Sequence, residues 1–242
     1  MLSDVLADEG RKLPARLGGF KGALSVVFLL VLAALPPFKF GYGFLDPQIL
    51  LAYTAFALLF AAPFAAQSFG GASEQATLQD RAIPARDLVL GKIAASSLYG
   101  WVLFIAALGA ALVTLNTQLE RPAWPTLRTT VGMALLSSAA AWFAAAVGAR
   151  VTIAVQTAPA ARQLLRLAFL FGVLLVVLLP RVLPPSASET LHGALTRSQF
   201  PVTCMALATP LIVLAVWLSA SAVSALEERR QGLSILGEDQ TG

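Results

Sequence analysis

The sequence predicts an all-α membrane protein of six transmembrane helices, preceded by a helix lying in the membrane interface. Three observations predict it. The chain is 57% apolar and 12% charged, against roughly 45–50% and about 25% for soluble domains. Several stretches of about 20 residues are nearly free of charge, the length that crosses a hydrocarbon core of about 30 Å. The basic residues stand singly beside those stretches and form no patch. The net charge of +4 therefore reports topology and not a nucleic-acid partner. At 242 residues and a mean hydropathy of +0.76, one membrane domain (1–226) with a short polar tail (227–242) accounts for the chain.

Residues 1–22 carry Leu2, Val5, Leu6, Leu13, Leu17 and Phe20 at helical intervals among charges, which suits an interfacial helix that Pro14 breaks or kinks. The first span, about 22–37, stops at Pro36-Pro37. The following loop places Phe38, Phe40, Tyr42 and Phe44 as an interfacial aromatic belt. The second span, about 47–69, contains Pro63, which bends it. The third runs over about 93–115 and the fourth over about 127–147. Residues 148–166 read as a moderately polar connection. The fifth span, about 167–179, ends at Pro180-Arg181, and the sixth covers about 202–226. Between the last two, the prolines at 180, 184, 185 and 201 predict short half-inserted helices, with His192 on the outer face.

An even number of spans puts both termini on one side. That side and its loops hold Arg11, Lys12, Arg16, Lys21, Arg81, Arg86, Lys92, Arg150, Arg162, Arg166, Arg229 and Arg230, or 12 of the 17 basic residues. Lys39, Arg121, Arg128, Arg181 and Arg197 face the other. The positive-inside rule makes the termini and the connection after the second span cytoplasmic.

Enzyme chemistry finds no support. One histidine and one cysteine, His192 and Cys204, fall at different depths, too few for a zinc site or a catalytic triad. No P-loop occurs, so any ATP is bound by another subunit. None of the six spans carries an acidic residue near its centre, which disfavours a proton- or sodium-coupled transporter. The aromatics of the spans, among them Phe60, Trp101, Phe104 and Trp217, suit a lipophilic substrate or simply pack.

The remaining signal is the polar stretch from Ser73 to Lys92, where six charges (Glu74, Asp80, Arg81, Arg86, Asp87, Lys92) crowd between two apolar runs. In order it reads Glu74, Thr77-Leu78, Pro84 and Gly91-Lys92. This order and location resemble the cytoplasmic signature of ABC-2 type transporter permeases, in which an acidic residue, a Thr-Leu pair, a proline and a later Gly-Lys join the second and third helices. Ala76 stands where a glycine commonly precedes the Thr-Leu pair, and Gln79 where an acidic residue is frequent.

The resemblance implies a type V exporter-like transmembrane domain in a bacterial inner membrane, working as a homodimer with ABC ATP-binding subunits. It implies that 73–92 is a coupling loop contacting the ATPase through Glu74, Thr77, Leu78, Arg81, Pro84, Arg86 and Asp87, with no cofactor in this chain. Positions 74, 77, 78 and 81 would share one helical face. The exported substrate would be lipophilic or amphiphilic. The haem-exporter B-type subunit of cytochrome c maturation is an alternative within this class. A non-transporting membrane scaffold is an alternative outside it.

Overall fold

The computed structural model describes residues 2–16, 20–54, 56–70, 77–78, 82–155, 160–161, 163–165, 167, 193, 196 and 198–238. Helix α1 spans Leu2–Arg16, α2 Phe20–Ala34 and α3 Pro36–Phe40, followed by a 3-10 turn over Gly41–Leu45. Then come α4 (Pro47–Thr54), α5 (Phe56–Gly70), α6 (Ala85–Gln118), α7 (Leu127–Val155) and α8 (Phe200–Glu238). No strand occurs among the described residues.

Among the described residues three helices, α6, α7 and α8, are long and apolar enough to cross a membrane. The protein is accordingly all-helical and membrane-embedded. At 15 residues α2 extends about 22 Å, short of a hydrocarbon core of about 30 Å. The expected fifth span and most of the segment from 180 to 201, His192 included, lie outside the described residues.

Several boundaries differ from the sequence reading, each for a physical reason. Pro14 leaves α1 helical to Arg16, because in the last turn its missing N–H removes one hydrogen bond and little helix remains to disrupt. Helix α6 starts at Ala85, eight residues before the apolar run: Pro84 occupies its N-cap position with an extended ψ of 134°, and Asp87 in the first turn complements the helix dipole. Helix α7 continues through Val155 because buried Ala149, Thr152 and Ile153 extend its packed face beyond Gly148. Helix α8 runs on to Glu238 through residues read as a polar tail.

The core is built from small residues. Lipid tails are as apolar as leucine, so membrane helices associate through close packing more than through hydrophobic expulsion. Helix α5 presents Ala57, Ala61, Ala62, Ala65 and Ala66, all fully buried, between α6 and α7. It meets a glycine on each side. A Cβ on Gly100 of α6 would lie 2.5 Å from the Ala61 Cβ, and one on Gly148 of α7 would lie 2.8 Å from the Ala65 Cβ. Helix α8 packs along α7, where Gly132 admits Pro201 and Cys204 at 3.1 and 3.2 Å from such a Cβ.

Polar side chains fasten this bundle at a few points. The Tyr53 hydroxyl of α4 lies 2.9 Å from the Ala33 carbonyl of α2 and 3.0 Å from that of Ala107 on α6. Phe44, expected in an interfacial belt, is instead fully buried and packs edge-on against Tyr53, with ring centres 5.5 Å apart. Phe38, Phe40 and Tyr42 are exposed as a belt requires. The Trp101 Nε1–H donates to Ser137 Oγ at 3.1 Å, tying α6 to α7. Phe60 and Phe104 are core residues, whereas Trp217 on α8 is exposed with Val213 and Val216, an apolar face suited to lipid.

The turn between α6 and α7 is closed by one side chain. Asn116 donates through Nδ2 to the Leu112 and Ala123 carbonyls and accepts the Ala123 N–H at 2.7 Å. Thr126 then caps α7 by accepting the Thr129 N–H. Asn116→Ala is expected to lower stability by about 1–2 kcal/mol and to speed proteolysis within 119–126, read by thermal unfolding in detergent and limited digestion.

Candidate functional site

Helix α5 ends at Gly70 and α6 begins at Ala85, so the polar stretch joins them. Of its singled-out residues, Glu74 and Arg81 lie outside the described residues. Thr77 and Leu78 are helical. Thr77 is half-buried, whereas Leu78 is 3% exposed and belongs to the hydrophobic core of this chain. The face reading put Leu78 at the centre of an outward surface; its side chain is turned inward. Pro84 and Arg86 are exposed and Asp87 is half-buried, so the accessible chemistry gathers at the first turn of α6.

The backbone of this connection is gripped from a distant helix. Arg230, on α8 beyond its apolar part, donates through Nε to the Leu78 carbonyl and through Nη1 to the Ile83 carbonyl, both at 2.8 Å. A planar guanidinium holds two carbonyls in a fixed relation, which a single ammonium does not. Leu78 and Ile83 are thereby both fastened to α8. About two and a half turns of α8 deeper in the bundle, Arg150 of α7 donates to Ser221 of α8 at 3.0 Å, so α7 and α8 are linked on the same side.

At the base of the connection lies a buried ion pair. Lys92 sits about 10 Å into α6 by helical rise and is 0% exposed; Glu9 of α1 is 1% exposed. Lys92 Nζ donates to Glu9 Oε1 at 2.8 Å and to the Ser68 carbonyl near the end of α5 at 2.9 Å. The Ser68 hydroxyl donates to the other carboxylate oxygen, Glu9 Oε2, at 3.3 Å and lies 3.4 Å from Ser96 Oγ on α6. The Phe69 ring lies 5.9 Å from the ammonium. Each charge thus has its counter-charge and further polar partners, the condition under which ions persist away from water.

Lys92, read from sequence as a membrane-surface charge, is the innermost member of the cluster. A signal for its partner was present: a lone cation in the apolar run Leu88 to Ala95 requires a carboxylate. No span offered one near its centre, and Glu9 comes from the helix that the sequence placed outside the bundle. Arg230, within Glu227-Glu228-Arg229-Arg230, carries no mark that separates it from its solvated neighbours. Among the described residues no group of His, Cys, Asp and Glu side chains could hold a metal ion. No protein-family model, curated protein or solved structure matches this chain.

Proposed function

We propose that this chain is the transmembrane permease subunit of an ABC exporter, with two copies pairing with two ATP-binding subunits at the connection between α5 and α6. The observation that carries the reading is the residue order Glu74, Thr77-Leu78, Pro84, Gly91-Lys92 between two apolar runs. The way this connection is held supports it. A loop that transmits force must be stiff, and Arg230 fastens its backbone to α8 while the Glu9–Lys92 pair ties its base to α1, α5 and α6. Push on such a loop moves helices instead of merely bending the loop. ATP is bound and hydrolysed in the partner, and the cargo is lipophilic or amphiphilic, in keeping with the apolar spans.

Arg86, exposed on the first turn of α6, is the accessible charge best placed for the partner. Arg86→Glu is expected to weaken co-purification with the ATP-binding subunit at least tenfold while the chain still inserts. Arg128→Glu, exposed near the opposite end of the bundle, should leave association unchanged. Association that survives Arg86→Glu undiminished removes this residue from the contact. Failure of any ATPase to associate favours the scaffold reading.

A further inference from the structure

Arg150 is a cation for which its neighbouring helices supply no anion. It stands five residues before the end of α7, half-buried against α8. Its Nε–H donates to Ser221 Oγ at 3.0 Å, and none of the ion pairs among the described residues includes it. Helices α5 and α7 carry no acidic residue, α6 has only Asp87 in its first turn, and α8 has none before Glu227, six residues past Ser221. The two terminal NH2 groups of Arg150 have no acceptor among the described residues, and neither is sealed away from the surface. Ser221 adds a further donor. Ser219 and Ser224 return their hydroxyls to the carbonyls four residues back, at 2.7 and 3.3 Å, whereas the Ser221 O–H has no acceptor among the described residues. Ser221 lies about 7.5 Å short of Leu226 along the axis, the last apolar residue before Glu227, and so close to where hydrocarbon gives way to headgroups. One and two turns back along α8 from Ser221, Trp217 and Val213 are 64% and 62% exposed, an apolar stripe leading toward the membrane centre.

We propose that the seam between Arg150 and Ser221 binds an anionic membrane phospholipid: the guanidinium and the serine hydroxyl hold its phosphodiester, and an acyl chain lies along Trp217 and Val213. A planar guanidinium presents paired donors to two phosphate oxygens. The phosphate supplies the negative charge that a cation within a membrane helix bundle requires, and a basic site between two such helices is where lipid headgroups are held. The bound lipid braces α7 against α8 on the side where Arg230 grips the connection. The site belongs to the chain itself and holds whether or not the protein exports anything.

Thermal unfolding of the full chain, stripped of lipid in detergent, tests it. A saturating excess of phosphatidylglycerol is expected to raise the midpoint by at least about 4 °C, phosphatidylcholine by no more than about half of that, and inorganic phosphate not at all. Arg150→Gln should abolish the phosphatidylglycerol shift and Ser221→Ala should reduce it. Arg229→Gln, about two turns further along α8 on the same side, should keep it. If Arg150→Gln does not fold, Arg150→Lys serves in its place: it keeps the charge, loses the paired donors and should show about half the shift. Absence of a shift in the unaltered protein overturns the proposal, and so does a shift that survives undiminished in the Arg150 variants or is lost equally in Arg229→Gln. An equal shift with phosphatidylcholine also overturns it, as does one with phosphate alone, which would mark a site for a free anion.

Discussion

Gly100→Leu is expected to stop the bundle from closing, with a loss of at least about 3 kcal/mol in stability, the upper end of what overpacking costs. A Cβ at that position lies 2.5 Å from the Ala61 Cβ, 2.6 Å from its Cα and 2.7 Å from its backbone nitrogen. Carbon atoms rest about 3.5–4.0 Å apart, and two of the three obstacles are backbone, so no rotamer change relieves the overlap. Helix α5 has no room to retreat, because on its other side the Ala62 carbonyl and Ala65 Cβ lie 2.8 Å from where a Cβ on Gly148 would stand. Gly109→Leu, also on α6, is the control: a Cβ there meets nothing within 4 Å. Thermal unfolding and size-exclusion profiles in detergent should separate the two, and equal melting temperatures would sink this account of the packing.

Arg230→Gln is expected to release the connection while leaving the membrane bundle assembled. Two charge-assisted hydrogen bonds are lost, about 2–4 kcal/mol together, and the cost falls on Leu78 and Ile83, whose carbonyls they hold. Amide exchange across 82–88 should rise at least tenfold, and any transport driven by a partner ATPase should fall with it. Arg230→Lys should fare little better, since a lysine head group does not present two diverging donors in one plane. Arg229→Gln, one residue away and pointing about 100° around the helix, should change neither. Unaltered exchange across 82–88 in Arg230→Gln would show that the connection is stiff for other reasons.

The helical class and the location of the long apolar helices were legible because hydropathy reports on lipid directly. Third and fourth helices were expected at 93–115 and 127–147 and observed at 85–118 and 127–155. The misjudged ends are places where packing against other helices overrides local polarity. Residues 85–92 carry Arg86, Asp87 and Lys92, yet Leu88, Val89, Gly91 and Lys92 are buried. The same limit governed the site. Residue order marked out 73–92, but burial of Leu78 and the reach of Glu9 and Arg230 are long-range facts: the pairs are separated by 83, 152 and 147 positions. No periodicity within a window of one or two helices encodes them. Phe44 and Tyr42 make the point at close range, since two aromatics two residues apart read alike and one is fully buried while the other is exposed.

The grip of Arg230 also sets an order of events during synthesis. Glu9 leaves the ribosome first and Lys92 follows 83 residues later, so α1 and the start of α6 are available to each other early. The carbonyls of Leu78 and Ile83 wait until about 150 further residues have been made and α8 has been inserted. A chain interrupted anywhere before residue 230 therefore displays an unclamped connection. A partner that binds only the clamped form would distinguish finished chains from unfinished ones without any separate inspection step.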